Sequence, residues 1–202
     1  MAKKQLRNLV DRKVLIAQME QSEVARTTIS FYQYAHILNP EFFRDYLFWN
    51  WSEMGVLGRT YIAREGINAQ ISVPTAVLED FRDHLYGIAF LDGIRLNETV
   101  DEGKSFFKLT IKVRPKIVAD GLTDETFDVT DCGVHLDAVS FNELTSRPDT
   151  ILIDMRNHYE SEVGHFIGAI TPEVNTFREE IEVVENMLEG KEDQNIVMYC
   201  TG

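Results

Sequence analysis

Four groups of residues in this 202-residue chain have the types and spacing for chemistry: Cys200, Asp154 with Arg156, His165, and the run Arg64–Asn68. Cys200 ends an apolar stretch, Asn195-Ile196-Val197-Met198-Tyr199, and is followed by Thr201 and Gly202. A strand that delivers a cysteine to its C-terminal end fixes the sulfur, and the turn behind it can aim backbone N–H groups at it. Such donors favour the thiolate, the reactive form. The competing reading is a buried cysteine acting as a small hydrophobe. Asp154-Met155-Arg156-Asn157 and Glu162–Ala169 flank one strand-to-helix crossover. Arg156 or His165 there can stabilise an anion or move a proton. In the plainer reading Asp154 and Arg156 pin loops and His165 is a satisfied core histidine. His158 and His165 lack the spacing of a metal site, so no metal is expected. Arg64-Glu65-Gly66-Ile67-Asn68 reads as a hairpin tip whose cation and amide can meet a phosphate or a base edge; a turn built for backbone reasons fits as well.

The elements that must position these groups fall into two patterns. In the first part, residues 27–36 are β-branched and aromatic and read as a strand. Asn39-Pro40-Glu41 is a helix start, with an N-cap side chain, proline at the first position and then an acid. Phe42, Phe43, Tyr46, Leu47 and Trp51 give that helix an apolar face to about Glu53. Trp49 and Trp51 have the chemistry to stack bases, but beside Phe42, Phe43 and Tyr46 they read as core. Gly58–Ala63 and Asn68–Val73 form a hairpin with glycine in the turn. A helix from Pro74-Thr75 carries Leu78, Phe81 and Leu85, and strands are expected at Ile94–Glu98 and Phe106–Val113. The order β-α-β-β-α-β is the ferredoxin-like arrangement. Leu6, Val10, Val14 and Ala17 suggest a further amphipathic helix over residues 5–20.

Residues 115–135, with Pro115, Gly121, Gly133 and many acids, read as a linker. Beyond it strands alternate with helices: a capping box at Ser140–Glu143, a strand Thr150–Asp154, a second capping box at Thr176–Glu179, and the strand Asn195–Tyr199. This order implies a parallel sheet, whose functional groups gather beyond the carboxyl ends of the strands. Asp154 and Cys200 both sit at such ends.

The net charge of −13 is uneven: residues 1–115 hold 15 Lys/Arg against 14 Asp/Glu, and residues 116–202 hold 5 against 19. The acidic part is a poor grip for phosphate backbones, so any nucleic acid is expected on the N-terminal module. Two cysteines, Cys132 and Cys200, make neither a disulfide framework nor a four-ligand zinc site. With no signal peptide and no membrane-length apolar run, a reducing cytoplasm and no membrane partner are expected.

The second module resembles a rhodanese domain. The resemblance rests on Ile153-Asp154-Met155-Arg156, on Glu162 with Gly164-His165-Phe166-Ile167-Gly168-Ala169, and on Val197–Gly202. With Ala63–Asn68 and Asp154–Glu160 added, residues 25–202 resemble the bacterial tRNA uridine hydroxylases. These join a ferredoxin-like, acylphosphatase-like module to a rhodanese module. The resemblance implies an α+β domain at 25–114, preceded by an extension over 1–24, and an α/β rhodanese-like domain with a parallel sheet at 136–202. It also implies O2-dependent formation of 5-hydroxyuridine at the tRNA wobble position, with Cys200 as the essential cysteine. Thr201, Gly202, Asp154, Arg156 and His165 would support the loop, and Arg64 and Asn68 would touch the anticodon region of tRNA. No cofactor besides O2 as co-substrate is evident. Members of that family continue past the cysteine through a Gly-Gly-Ile-Arg-Cys-like loop, so the chain is expected to stop inside the active-site loop, truncated after its strand, and to be inactive alone. Three rivals stay open: a sulfurtransferase carrying a persulfide on Cys200, a Cys-x5-Arg phosphatase, and a non-catalytic rhodanese-like binding module.

Overall fold

Helix starts are where the local chemistry of this chain is most direct. In the computed structural model, which describes residues 10–99, 105–118 and 128–200, Asn39 caps α2 (Pro40–Glu53), its side chain accepting from the Phe42 N–H at 3.0 Å. Proline at the first position needs no N–H partner there, and Glu41 complements the positive end of the helix dipole. α2 buries Leu47 and Trp51, one turn apart. Trp49 lies two residues from each, about 200° round the helix, and is 62% exposed; Phe42 is 69% exposed. The expectation of a core Trp49 is therefore corrected by helix geometry.

The chain divides into two compact units, Met1–Val118 and Ala119–Gly202. In the first, β1 (Arg26–Tyr34), β2 (Leu57–Ala63), β3 (Gly66–Pro74), β4 (Asn97–Thr99) and β5 (Leu109–Val113) form one sheet in the order β4-β1-β3-β2-β5. The first four strands are antiparallel to their neighbours, as the ferredoxin-like order demands, and β5 adds a fifth strand parallel to β2. α2 and α3 (Leu78–Tyr86) cover one face. There Leu47, Trp51, Phe81 and Leu85 meet Ile29, Phe31, Ile62, Ile67 and Ile71 in a single buried cluster. Trp51 and Phe81 rings pack at 5.5 Å. Burial of each such side chain is worth about 1.5–3 kcal/mol, and period-two alternation leaves the opposite face of the sheet to polar and aromatic residues.

The hairpin departs from expectation in one detail. Its turn is Arg64-Glu65 alone, and Gly66 is already in β3, opposite Ala63. Gly66 has φ +147°, and a Cβ there would lie 2.1 Å from the Gln33 carbonyl oxygen. Glycine is needed for the close approach of β3 to β1 rather than for the turn itself. The tip is tied down on both sides: Ala35 N–H and Ile37 N–H donate to the carbonyls of Glu65 and Arg64, each at 2.9 Å.

Three element boundaries shift. α1 spans Arg12–Gln21, not 5–20, and residues 1–9 lie outside the described residues. Its half-buried side is Leu15, Ile16 and Met19, while Val10, Val14 and Ala17 are exposed. The alternative i, i+1, i+4 stripe wins over the one the spacing suggested. β4 occupies only Asn97–Thr99, because a turn closed by Ile94 N–H on Leu91 O precedes it. β5 begins at Leu109, not Phe106; Phe107 instead lies under the Arg12 guanidinium, 5.5 Å from its ring centre.

Ile117, in the stretch read as linker, is buried. Its N–H donates to the Glu65 carboxylate at 2.7 Å, and its carbonyl accepts from the Asn68 amide at 3.3 Å. Residues 115–118 thus belong to the first unit.

In the second unit α4 (Ala138–Thr145), β6 (Thr150–Asp154), α5 (His158–Val163), α6 (Phe177–Leu188) and β7 (Asn195–Tyr199) follow in order. The N-cap of α4 is Asp137, whose carboxylate accepts from Ser140 N–H at 2.8 Å, so the helix opens before the Ser140–Glu143 box. Thr176 caps α6 as expected, accepting from Glu179 N–H at 3.3 Å. β6 and β7 are parallel, with Asp154 opposite Tyr199, and a parallel bridge joins Ile153 to Ile170. α4 packs on both strands. Among the described residues no helix is long and apolar enough to cross a membrane.

Candidate active site

The parallel register of β6 and β7 decides what lies beside Cys200. It brings Asp154 level with Tyr199, the residue before the cysteine. Met155 N–H then donates to Tyr199 O at 2.8 Å, which carries the pairing to the last residue of β7. Leu152, Ile153 and Val197 are buried beneath. Cys200 itself is exposed, with a free thiol.

Asp154 is 1% exposed and is the hub of the site. It accepts from Arg156 Nε at 2.8 Å and Nη2 at 2.7 Å, from the Arg156 backbone N–H at 3.1 Å, and from the Tyr199 hydroxyl at 2.7 Å. A buried carboxylate persists only when so satisfied. Burial by itself would raise its pKa; the bonds from Arg156 and Tyr199 outweigh that and hold it below the ordinary carboxylate value. The same bond to Asp154 raises the pKa of Arg156. Burial, and then the bond to Asp154, raises that of Tyr199. Arg156 Nη2 also donates to Gly164 O at 2.6 Å, and its guanidinium lies 5.4 Å from the centre of the Tyr199 ring. The Tyr199 hydroxyl accepts from Phe166 N–H at 3.3 Å, and rings 166 and 199 meet edge to face at 4.8 Å. One bracket therefore ties the end of β6, the loop at 164–166 and the end of β7.

Asp154 and Arg156 are thus brought together, in the loop-pinning arrangement, with the guanidinium committed to Asp154 and Gly164. His165 is exposed rather than a core histidine, and its Nδ1 lies 2.9 Å from Ser161 O. Thr201 and Gly202 lie outside the described residues. In the first unit Arg64 is exposed at the hairpin tip, while Asn68 is half-buried with its amide donating to Ile117 O. Cys132 is exposed in the acidic stretch.

Two residues escaped the sequence reading. Tyr199 was visible only as a strand residue, although an acid ending one buried strand and a tyrosine ending the next is the available signal. Glu180, in the first turn of α6, is 1% exposed, and its Oε1 has no hydrogen-bond partner among the described residues. Burial, then the charges of Asp154 and Glu160, push its pKa up to about 7. Nothing in the pattern of α6 separates it from its exposed neighbours Glu179 and Glu182.

Comparison with known proteins bears on both units. Residues 26–117 match the family described as UPF0176 acylphosphatase like domain, which agrees with the α+β sheet and helices of the first unit. A tRNA uridine(34) hydroxylase of Photorhabdus laumondii is 51% identical over 199 residues, 98% of this chain and 56% of the relative. The chain is homologous to the tRNA uridine(34) hydroxylases. The hydroxylase of Leptospira interrogans is 47% identical over 201 residues, covering 99% of the chain and 55% of its own length. That of an Escherichia coli O9:H4 strain is 48% identical over 199 residues, covering 98% and 57%. The chain spans about half the length of the hydroxylases it matches. The homology runs through the Cys200 strand as well as the first unit, since it takes in nearly every residue of the chain.

Proposed function

We propose that this chain belongs to an enzyme that hydroxylates the wobble uridine of tRNA to 5-hydroxyuridine, with Cys200 as its nucleophile. The observation that carries the reading is 51% identity over 98% of the chain to a tRNA uridine(34) hydroxylase. The exposed Cys200 thiol at the end of a strand anchored by Asp154, Arg156 and Tyr199 supports it. Residues 25–114 would position the RNA, with Arg64 at a phosphate. Residues 136–202 would be a rhodanese-like module that presents the sulfur, in the cytoplasm where thiols stay reduced.

Uracil C5 is a weak nucleophile until C6 carries an added group. The Cys200 thiolate forms an Sγ–C6 bond, and the C5=C6 electron pair moves into the C5–C4–O4 enolate. C5 then takes an oxygen atom, loses its proton, and expels the sulfur to restore the double bond. Addition and expulsion of sulfur are redox-neutral. Replacing C5–H by C5–OH is a two-electron oxidation by O2, and reduction of the second oxygen atom to water needs two further electrons and two protons from an external thiol-class donor. The bracket at Asp154 holds the backbone of residue 199, which fixes where the sulfur of residue 200 stands; orientation of this kind is worth orders of magnitude in rate.

The test is Cys200→Ala and Cys200→Ser in the complete protein, with 5-hydroxyuridine in cellular tRNA measured by mass spectrometry. Loss of the nucleoside is expected in both. Wild-type levels in either variant refute the assignment, and a stable persulfide on Cys200 with turnover to cyanide would favour a sulfurtransferase instead.

A further inference from the structure

The sheet of the first unit has a face that α2 and α3 do not cover, and its composition runs against that of the chain. Register places Tyr32 opposite Asn68, Asn68 opposite Tyr61, and Tyr61 opposite Lys112, one row across four strands. The next row puts Arg59 between Gln70 and Thr110. Tyr32, Arg59, Gln70, Lys112 and Arg114 are exposed and Tyr61 is half-buried. None of the described strand positions on this face is acidic, in a chain of net charge −13. Glu98 is level with the core residue Ile29 and so faces the other way, where it pairs with Arg82. The Tyr34 ring meets Tyr32 edge-on at 6.3 Å, and the Arg114 guanidinium lies 5.6 Å from the centre of the Tyr61 ring.

We propose that this open sheet face binds single-stranded RNA, with unpaired bases stacking on Tyr32 and Tyr61 and phosphates held by Arg59, Lys112 and Arg114. Tyr32 and Tyr61 stand two strands apart, about 10 Å. Asn68 lies between them with its amide on Ile117 O, so each ring would take its own base rather than share one stack. A sheet face that presents aromatic rings is a geometry that reads splayed bases, and aromatic stacking tolerates any base. A planar guanidinium on a tyrosine ring extends the stack and pairs phosphate. Charge and rings together select the ligand. Among the described residues the strand positions carry cations and no acid, and the one carboxylate at the rim, Glu65, is taken up by Ile117 N–H at 2.7 Å. Cations attract a polyanion, and the tyrosine rings favour one with bases over an acidic peptide. The inference rests on the RNA-modifying reading above and adds the surface that holds the loop.

The test is fluorescence anisotropy on the full 202-residue chain with a labelled anticodon stem-loop and, separately, a blunt RNA duplex. Preference for the stem-loop is expected. Tyr32→Ala and Tyr61→Ala should each weaken it roughly tenfold, with Tyr32→Phe and Tyr61→Phe close to wild type. Trp49→Ala, on α2, should change nothing. Arg59→Ala and Lys112→Ala should each flatten the slope of log affinity against log salt by about 0.7. Photocrosslinking of a 5-iodouridine oligonucleotide to the unaltered chain should modify Tyr32 or Tyr61, a readout that needs no variant to fold. Absence of binding, equal binding of the duplex, unchanged affinity of folded alanine variants, or crosslinks only elsewhere would each overturn the proposal. These readouts do not involve Cys200. Unchanged binding in the tyrosine variants removes this surface and leaves the hydroxylase reading intact; 5-hydroxyuridine surviving in Cys200→Ala does the reverse.

Discussion

Two buried carboxyl groups in the second unit show how neighbours set the behaviour of one residue type. Asp154 is held ionised by Arg156 and Tyr199. Its pKa is lowered, so it contributes stability above its unfolded value near 4 that is lost as pH falls through the lower folded value. Asp154→Ala strands the Arg156 guanidinium and frees Tyr199; a loss of about 3 kcal/mol is expected in thermal or urea unfolding. Tyr199→Phe removes only the hydroxyl and should cost about 1–2 kcal/mol. It should also slow alkylation of Cys200 less than Asp154→Ala alters it, since the ring stays in place. Glu180 has the opposite sign. Its folded pKa is pushed up to about 7, above the ordinary 4.5, because burial and the nearby Asp154 and Glu160 disfavour its charge. Below 4.5 it has no effect; between 4.5 and 7 the unfolded chain gives up the proton first and stability falls; above 7 the loss is complete. Glu180→Gln should therefore leave stability at pH 4 nearly unchanged and raise it at pH 8 by up to about 3 kcal/mol. Unfolding curves of the variant that stay parallel to wild type between these pH values would contradict that.

At the scale of elements, the devices that hold ends and edges are the ones open to direct test. Asp137 starts α4, which packs on the two strands that carry Asp154 and Tyr199. Asp137→Ala should cost about 1 kcal/mol, read as a lower unfolding midpoint in urea. Gly66 is a harder constraint, since a methyl group there meets the Gln33 carbonyl at 2.1 Å and backbone cannot yield as a side-chain tip can. Gly66→Ala should destabilise the first unit by about 3 kcal/mol or more and, by moving the hairpin tip, shift Arg64 as well. The tip is a clamp: Ala35, Ile37 and Ile117 all bond to Arg64 or Glu65. Asn68 works on the same clamp, which explains an amide at that position without a ligand.

Across the whole molecule the division of charge is the dominant fact. Residues 116–202 carry 19 acids against 5 cations, and Glu182, Glu185 and Glu189 are exposed on and just after α6. Repulsion from such a surface discourages loose contact with nucleic acid, which agrees with the proposal that RNA binds the sheet face of the first unit. Replacing Glu182, Glu185 and Glu189 by glutamine should raise low-salt binding of duplex RNA several-fold, with the effect gone once the Debye length shrinks to about 3 Å at 1 M salt. Anisotropy titrations at two salt concentrations check this.

The amino-acid sequence by itself determined the split into two units, the ferredoxin-like order, the Asn39 and Thr176 caps, and the place of Cys200 at the end of an apolar strand. Each of these is written in local signals: hydrophobic period, a capping side chain, a cysteine closing an apolar strand. The tertiary structure alone decided which residues stand beside the cysteine, because the register of two parallel strands more than forty positions apart in the chain pairs Asp154 with Tyr199. It also decided that Glu180 is buried while Glu179 is not, that Trp49 faces outward, and that Tyr32 and Tyr61 share one open face. Those outcomes depend on which strand becomes the neighbour of which and on what covers each helix, and no local pattern encodes them.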